Sequence, residues 1–150
     1  TLLTEADVAL PASLVGEMKR HWYNYNCMVY TDLVLPEGLI SIGYEDFQDC
    51  HSLLSVTLPS SLTSIGYRAF YGATALASVS FPEGLTSIGN EAFWGATTLA
   101  SVSFPESLTS INSRAFYGAI SLASVSFPTN LTSIYRGAFG GATSLASVSF

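Results

Sequence analysis

The chain has 150 residues, of which 49% are hydrophobic and only 11% are charged. This is the composition of a folded chain. A formal net charge of −6, with five basic residues against eleven acidic ones, argues against a phosphate-binding surface, so we expect no nucleic-acid partner. No apolar run is long enough to span a bilayer, and the N-terminus lacks the basic and apolar regions of a signal peptide.

The first 35 residues are the least regular part of the chain. Pro11 stands 25 residues before Pro36, whereas later prolines recur every 23 residues, and the stretch 18–26 matches the later pattern poorly. We therefore interpret residues 1–35 as a degenerate first coil or an N-terminal cap. The chain has no initiator Met and stops one residue before the next proline would fall. We expect it to be an excised piece of a longer array, cut at its C-terminal end.

Residues 36–150 consist of five copies of one 23-residue pattern, and a proline opens each copy. These prolines are Pro36, Pro59, Pro82, Pro105 and Pro128. Self-similarity at this period predicts a solenoid of stacked coils. A stack of this kind has no single cleft, so the sequence is informative about the fold and names no ligand.

Within one copy, the hydrophobic periodicity predicts the cross-section of the coil. In the stretch 76–81, Val79 and Phe81 alternate with Ser78 and Ser80, as in a half-buried strand. Seven such strands, in one continuous parallel ladder, are expected to end at Leu10, Leu35, Leu58, Phe81, Phe104, Phe127 and Phe150. A second short extended wall follows at 85–88, and 89–96 has the pattern of a short helical turn. The predicted fold class is an α/β, β-rich repeat solenoid.

Stacking turns each position of the pattern into a column along the solenoid axis. The expected core has an aromatic spine of Phe47, Phe70, Phe93, Phe116 and Phe139. Leucine and isoleucine columns fill the rest of the interior. Because each coil buries its apolar edge only against its neighbours, several coils are needed for stability.

The proline, the L-x-x-I, the A-F and the L-x-x-V-x-F of each copy together resemble the BspA-like leucine-rich repeat, found in bacterial and protist surface proteins. The resemblance covers Leu33 to Phe150. It implies an extracellular or cell-surface array that binds host proteins, other cells or matrix components. That family often carries Cys where this chain has alanine. Only Cys27 and Cys50 keep it.

The two cysteines occupy the same column of adjacent coils, about 5 Å apart, which a disulfide tolerates. Two small buried thiols are the alternative, and the alanines elsewhere in the column favour it. Only His51 lies nearby as a further ligand, so we expect no metal site. A serine nucleophile needs a base beside it, and neither histidine recurs beside the serines of the repeat. The acidic residues of the turn 45–49 are better explained as a solvated surface than as paired catalytic carboxylates. We therefore expect no catalytic residues, no cofactor and no enzymatic activity.

Three exposed columns are the candidates for function. Glu45, Arg68, Glu91 and Arg114 alternate in charge, which we interpret as register control. An aromatic edge is formed by Tyr71, Trp94 and Tyr117, whose rings either bind a partner or cover the neighbouring coil. The outer face of the strands carries serines, which either fill a tight ladder or bind a ligand: Ser78, Ser80, Ser101, Ser103, Ser124 and Ser126. Thr63, Thr86, Thr109 and Thr132 line the next wall.

We therefore hypothesise a non-enzymatic surface module for protein or cell adhesion. A second hypothesis is a structural role, in which uncapped ends let arrays associate into rods or fibres. A third is ice or glycan binding on the Ser/Thr face. Asn130 begins an N-x-T sequon, a glycosylation site if the chain passes through a eukaryotic secretory route.

Overall fold

A computed structural model describes Cys27 and residues 31–150. We number the coils from their opening prolines: coil 1 is 36–58, coil 2 is 59–81, coil 3 is 82–104, coil 4 is 105–127 and coil 5 is 128–150. The described part of the chain contains eleven short strands, all parallel to their partners. They are β1 (Asp32–Val34), β2 (Ser41–Ile42), β3 (Ser55–Thr57), β4 (Ser64–Ile65), β5 (Ser78–Ser80), β6 (Ser87–Ile88), β7 (Ser101–Ser103), β8 (Ser110–Ile111), β9 (Ser124–Ser126), β10 (Ser133–Ile134) and β11 (Ser147–Ser149).

The three-residue strands form the main wall of the solenoid. Each pairs with the strand one repeat away, so that Val56 stands opposite Val79 and Val102 opposite Val125. The predicted ladder is not continuous, because the wall consists of two sheets, β1-β3-β5 and β7-β9-β11. The side-chain packing of the core continues across this interruption, because the rings of Phe81 and Phe104 stack with their centroids 5.6 Å apart. Side-chain packing therefore joins coils 2 and 3 on this side.

The predicted second wall is present as one five-stranded sheet, β2-β4-β6-β8-β10. Each of its strands has the sequence Ser-Ile, and in the first four the isoleucine is buried in the core: Ile42, Ile65, Ile88 and Ile111. Ile134, in coil 5, is 46% exposed. Since this sheet runs unbroken past the interruption in the main wall, it keeps coils 1 to 5 in a single stack.

The predicted short helical turns are wrong, because no residue from 31 to 150 is helical. In coil 3, the amides of Glu91 and Phe93 donate to carbonyls of coil 4 at 3.0 and 2.7 Å. Only the alternate amides, such as that of Trp94, bond within the turn, to the carbonyl of Glu91. Glu91 has a φ of 57°, in the left-handed region. A helix requires right-handed residues whose amides bond within the segment, and this turn uses half of its amides to bind the next coil.

The predicted aromatic spine is confirmed. The ring centroids of successive spine residues lie 5.0, 5.1, 5.1 and 5.4 Å apart, and their planes differ by 3 to 8°. A second aromatic column, at the end of the main-wall strands, packs edge-on against the spine, as Phe81 does against Phe93 at 5.7 Å. The core therefore repeats along one axis only: each inner ring of the spine contacts its equivalents in the coils above and below, and each end ring contacts one equivalent.

The N-terminal end of the described region carries a covalent link. Cys27 and Cys50 form a disulfide, with their Cα atoms 5.3 Å apart, so the structure has the bridge and not the pair of thiols that the alanine column favoured. Of the rest of the predicted cap, residues 31–35 contain β1 and pair with coil 1. The remainder, including the predicted strand that ends at Leu10, lies outside the described residues. None of the described helical structure is long and apolar enough to cross a membrane.

Candidate binding surfaces

The charged column lies on the outer turns of coils 1 to 4. Arg68 bonds Glu91 through Nε at 2.7 Å and lies 3.7 Å from a carboxylate oxygen of Glu45. Arg114 approaches the same Glu91 at 3.7 Å, so the predicted alternation of ion pairs is confirmed. All four residues have left-handed φ values, from 52 to 57°, a conformation that costs a residue with a Cβ about 1–2 kcal/mol. Coil 5 has Gly137 at the equivalent position, with a φ of 66°.

The aromatic edge is a stack of rings beside this charged column. The centroids of Tyr71 and Trp94 are 5.9 Å apart, and those of Trp94 and Tyr117 are 4.4 Å apart. Cations lie over the same rings: the guanidinium carbon of Arg68 is 5.0 Å from the Tyr71 centroid, and that of Arg114 is 5.6 Å from the Trp94 centroid. The rings thus cover one another and carry the arginines.

This stacking determines what the aromatic edge can bind. Tyr71 and Trp94 are half-buried, and Tyr117 is 38% exposed. Since the ring faces are covered by neighbouring rings, the rings present mainly their edges to solvent. This is the covering role that the sequence left open, and it leaves Tyr117 as the most accessible ring of the three.

The serine face has hydroxyls that the structure does not use. Five of the six candidate serines are exposed and the remaining one, Ser124, is half-buried. Within residues 31–150 their hydroxyls have no hydrogen-bond partner, whereas Ser55 on the first described coil donates to Asp32 at 2.5 Å. On sheet β7-β9-β11 the serines and the valines between them line a shallow depression of about 290 Å³. This face is uniform, uncharged and rich in free hydroxyl groups.

The threonine column of the second wall is different. The hydroxyls of Thr63, Thr86, Thr109 and Thr132 each donate to a backbone carbonyl of the preceding coil, at 2.9 to 3.4 Å. Because these donors are used internally, we interpret this column as part of the scaffold. The two hydroxyl-rich walls, which look alike in the sequence, therefore differ in whether their hydroxyls are hydrogen-bonded within the described stack.

The predicted sequon lies on an exposed turn of coil 5. Asn130 is exposed, and its Nδ2 donates to the carbonyl oxygen of Glu106 at 3.0 Å. Its partner in the triplet, Thr132, donates to the Thr109 carbonyl. Modification at Asn130 stays a prediction.

Titratable groups serve contacts between coils. The hydroxyl of Ser55, and then that of Thr31, holds the pKa of Asp32 below its ordinary value. Bonds from the Ser60 amide and hydroxyl likewise lower the pKa of Glu37. His51 lies 2.9 Å from the Gly72 carbonyl through Nδ1. No cluster of three metal-ligating side chains occurs among the described residues. These acidic contacts were missed because they lie in columns that change residue type between coils.

Comparison with known proteins agrees with this geometry. The BspA type leucine-rich repeat region matches residues 19–149 as six copies. The structure is similar to the crystal structure of a T. pallidum leucine-rich repeat protein, with 39% sequence identity and a TM-score of 0.77, over 79% of this chain and 57% of that one. It is also similar to a leucine-rich repeat protein from Bacteroides ovatus, with 28% identity and a TM-score of 0.67, over 83% of this chain and 38% of that one. No curated protein sequence matches the chain significantly.

Proposed function

Because the chain belongs to the BspA-type leucine-rich repeat family, we propose that it is a non-enzymatic binding module that attaches to a protein at a cell surface or outside the cell. It spans 57% and 38% of the lengths of the two similar proteins, so the proposal concerns the surfaces of this segment. The binding surface is the serine face of the main wall.

The observation that carries this proposal is the free hydroxyl array. A hydroxyl both donates and accepts hydrogen bonds, so a face of unpaired serines can pair with the backbone and polar side chains of another protein. The face carries no charge of its own and needs no large side chain to move. By contrast, the threonine wall has already used its donors.

The disulfide between Cys27 and Cys50 supports a location outside the cytosol. Disulfides persist in oxidising compartments and are rare where thiols are kept reduced. In the sequence, neither of the two histidines recurs in the repeat to act as a base beside the serines, which favours a binding role over an enzymatic one.

The test is the triple substitution of Ser80, Ser103 and Ser126 by lysine. Three long cations on adjacent coils would block the face, so we expect adherence to cultured cells and to immobilised matrix proteins to fall to background. The matched control replaces Tyr71, Trp94 and Tyr117 by serine and leaves the serine face intact. Circular dichroism would verify that both variants are folded.

The outcomes separate the alternatives. Loss only in the lysine variant supports the proposal, and loss only in the aromatic variant moves the surface to the aromatic edge. If both variants adhere like the parent chain, the adhesion hypothesis is wrong. Binding of polysaccharides, but not of proteins, to the parent chain would support the glycan hypothesis instead.

A further inference from the structure

The arginine on the outer turn of coil 4, Arg114, shares its one carboxylate partner with another arginine. Arg68 is bracketed by two carboxylates, those of Glu45 and Glu91. Arg114 has only Glu91, at 3.7 Å, and that carboxylate is already bonded to Arg68 at 2.7 Å. The side chain of Arg114 is also more exposed than that of Arg68, 48% against 34%.

The coil above Arg114 lacks the groups that would complete its surroundings. By the alternation of the column, coil 5 would place a carboxylate at position 137, but it has Gly137. A Cβ at that position would be 3.5 Å from Cγ of Arg114, an ordinary contact, so the space for a side chain is present. The aromatic column also ends in coil 5, but Gly140 packs closely against Tyr117, since an added Cβ would come within 2.7 Å of the ring. Tyr117 nevertheless stays 38% exposed.

A second basic residue, Arg136, precedes Gly137 in coil 5, and its carbonyl oxygen accepts a hydrogen bond from the amide of Arg114 at 3.1 Å. Arg136 is exposed and has no ion-pair or hydrogen-bond partner for its side chain within the described chain. The net charge of the chain is −6. Two arginines on neighbouring turns, close in the chain to an exposed tyrosine, therefore form a local basic site on an otherwise acidic protein.

We propose that this site, formed by Arg114, Arg136 and Tyr117, binds an acidic segment of a protein partner that also presents an aromatic side chain. A carboxylate pairs with Arg114, and an aromatic ring packs against the exposed edge of Tyr117. The site lies apart from the serine face and rests on the proposed function only in that the partner is a protein.

The chain itself shows why this partner chemistry fits. Two repeats earlier, in coil 2, the equivalent groups Arg68 and Tyr71 are contacted by Glu91 and Trp94 from the coil above, at 2.7 Å and 5.9 Å. Planar guanidinium groups favour carboxylates, and tyrosine edges favour other rings. A partner segment with glutamate near an aromatic residue would supply at coil 4 what coil 5 lacks.

The test uses a blocked synthetic Glu-Glu-Tyr peptide and the fluorescence of Trp94, which lies under Arg114. A Trp22→Phe background leaves Trp94 as the single tryptophan. We expect a saturable change at millimolar peptide or below, which weakens as salt is raised. Arg114→Gln should weaken binding about tenfold or more, the usual effect of losing a charge-assisted hydrogen bond.

Three further variants make the result specific. Gly137→Glu should cause a similar loss, because it supplies an internal carboxylate to Arg114 in a conformation that Glu91 already adopts. Arg68→Gln should also weaken binding, because it releases Glu91 to pair with Arg114. Ser80→Gln, at an exposed position of the main wall, is the control and should leave the affinity unchanged. Wild-type affinity in both Arg114→Gln and Gly137→Glu would overturn the proposal.

Other outcomes also overturn it. These are the absence of a saturable change, equal binding of a Gln-Gln-Tyr peptide, and equal binding of inorganic phosphate, which would indicate a simple anion contact. Adherence through the serine face is measured separately with the Ser80, Ser103 and Ser126 lysine variant. The two proposals are therefore tested by separate measurements, and failure of one does not imply failure of the other.

Discussion

The stability of this solenoid should depend on where in the stack an aromatic spine residue is removed. Phe93 in coil 3 is completely buried, and its ring stacks on Phe70 and Phe116 at 5.1 Å on both sides. Phe139 in coil 5 occupies the same column but is only partly buried, and it stacks on Phe116 alone, at 5.4 Å. The two phenylalanines thus form a matched pair that differs in the number of neighbours.

The expected magnitudes follow from these contacts. Truncation of a fully buried phenylalanine to alanine costs about 3–5 kcal/mol, and we expect about 4 kcal/mol for Phe93→Ala. The loss for Phe139→Ala should be smaller by about 1 kcal/mol because Phe139 has one ring stack fewer than Phe93. It should be smaller by about another 1 kcal/mol because Phe139 is only partly buried, so less apolar surface is exposed on unfolding. We therefore expect about 2 kcal/mol for Phe139→Ala.

The measurement is urea denaturation followed by circular dichroism at 25 °C, with the free energy of unfolding compared between the two variants and the parent. A difference near 2 kcal/mol supports a core built from nearest-neighbour contacts between coils. Equal losses, or a larger loss for Phe139→Ala, would refute the column reasoning. Phe93→Leu serves as the control for ring loss with most of the volume kept, and it should cost clearly less than Phe93→Ala.

Three further predictions concern the turns, the disulfide and an acidic contact. Gly95→Ala should lower the free energy of unfolding by about 1–2 kcal/mol, measured by thermal or urea unfolding, because Gly95 has a left-handed φ of 74°. An added Cβ would meet no atom within 3.8 Å, so this cost comes from the backbone conformation and not from a clash. Gly84→Ala is the control: Gly84 has no positive φ and its Cβ would meet nothing closer than 3.5 Å, so the change should be neutral or stabilising by up to about 1 kcal/mol. Replacing Cys27 and Cys50 by alanine should cost about 3 kcal/mol for a 23-residue loop and remove the effect of reductant on the melting temperature. Hydrogen bonds hold the pKa of Asp32 in the folded state below its ordinary value of 3.8. As the pH falls, the Asp32 carboxylate is therefore protonated in the unfolded chain before it is protonated in the folded one, so the stability that these bonds contribute should be lost below about pH 4. Asp32→Asn should flatten that part of the profile of stability against pH.

Much of the fold is predictable because the same residue type recurs at the same position. Val56 pairs with Val79 and Val102 with Val125 in the main wall, all four are buried, and Phe70 and Phe93 share one environment in the spine, as the period requires. The helical turn could not be excluded from the pattern, since alanine, phenylalanine and glycine also suit a short helix. What decides against it is the left-handed Glu91, an acidic residue in a conformation typical of glycine.

Other features leave no mark on the pattern. The main wall is interrupted between Ser78–Ser80 and Ser101–Ser103, yet these two strands have the same sequence, so no residue indicates the interruption. The serine and threonine walls look equally polar in the sequence. The difference is visible only in the structure, where a threonine hydroxyl donates to a backbone carbonyl of the preceding coil, whereas most of the strand serines are exposed to solvent.

The positions at which the repeat departs from itself are the ones most informative about function. In a solenoid, a residue of the repeated type is satisfied by its equivalents above and below, so its presence is explained by the stack alone. A departure removes part of that satisfaction: Gly137 leaves Arg114 without a second carboxylate, with only the shared Glu91 at 3.7 Å. On the same turn, Tyr117 has no aromatic ring above it and is 38% exposed. The break in two adjacent columns therefore points to this turn as a contact surface, a conclusion that the regular coils below it do not support for their own turns.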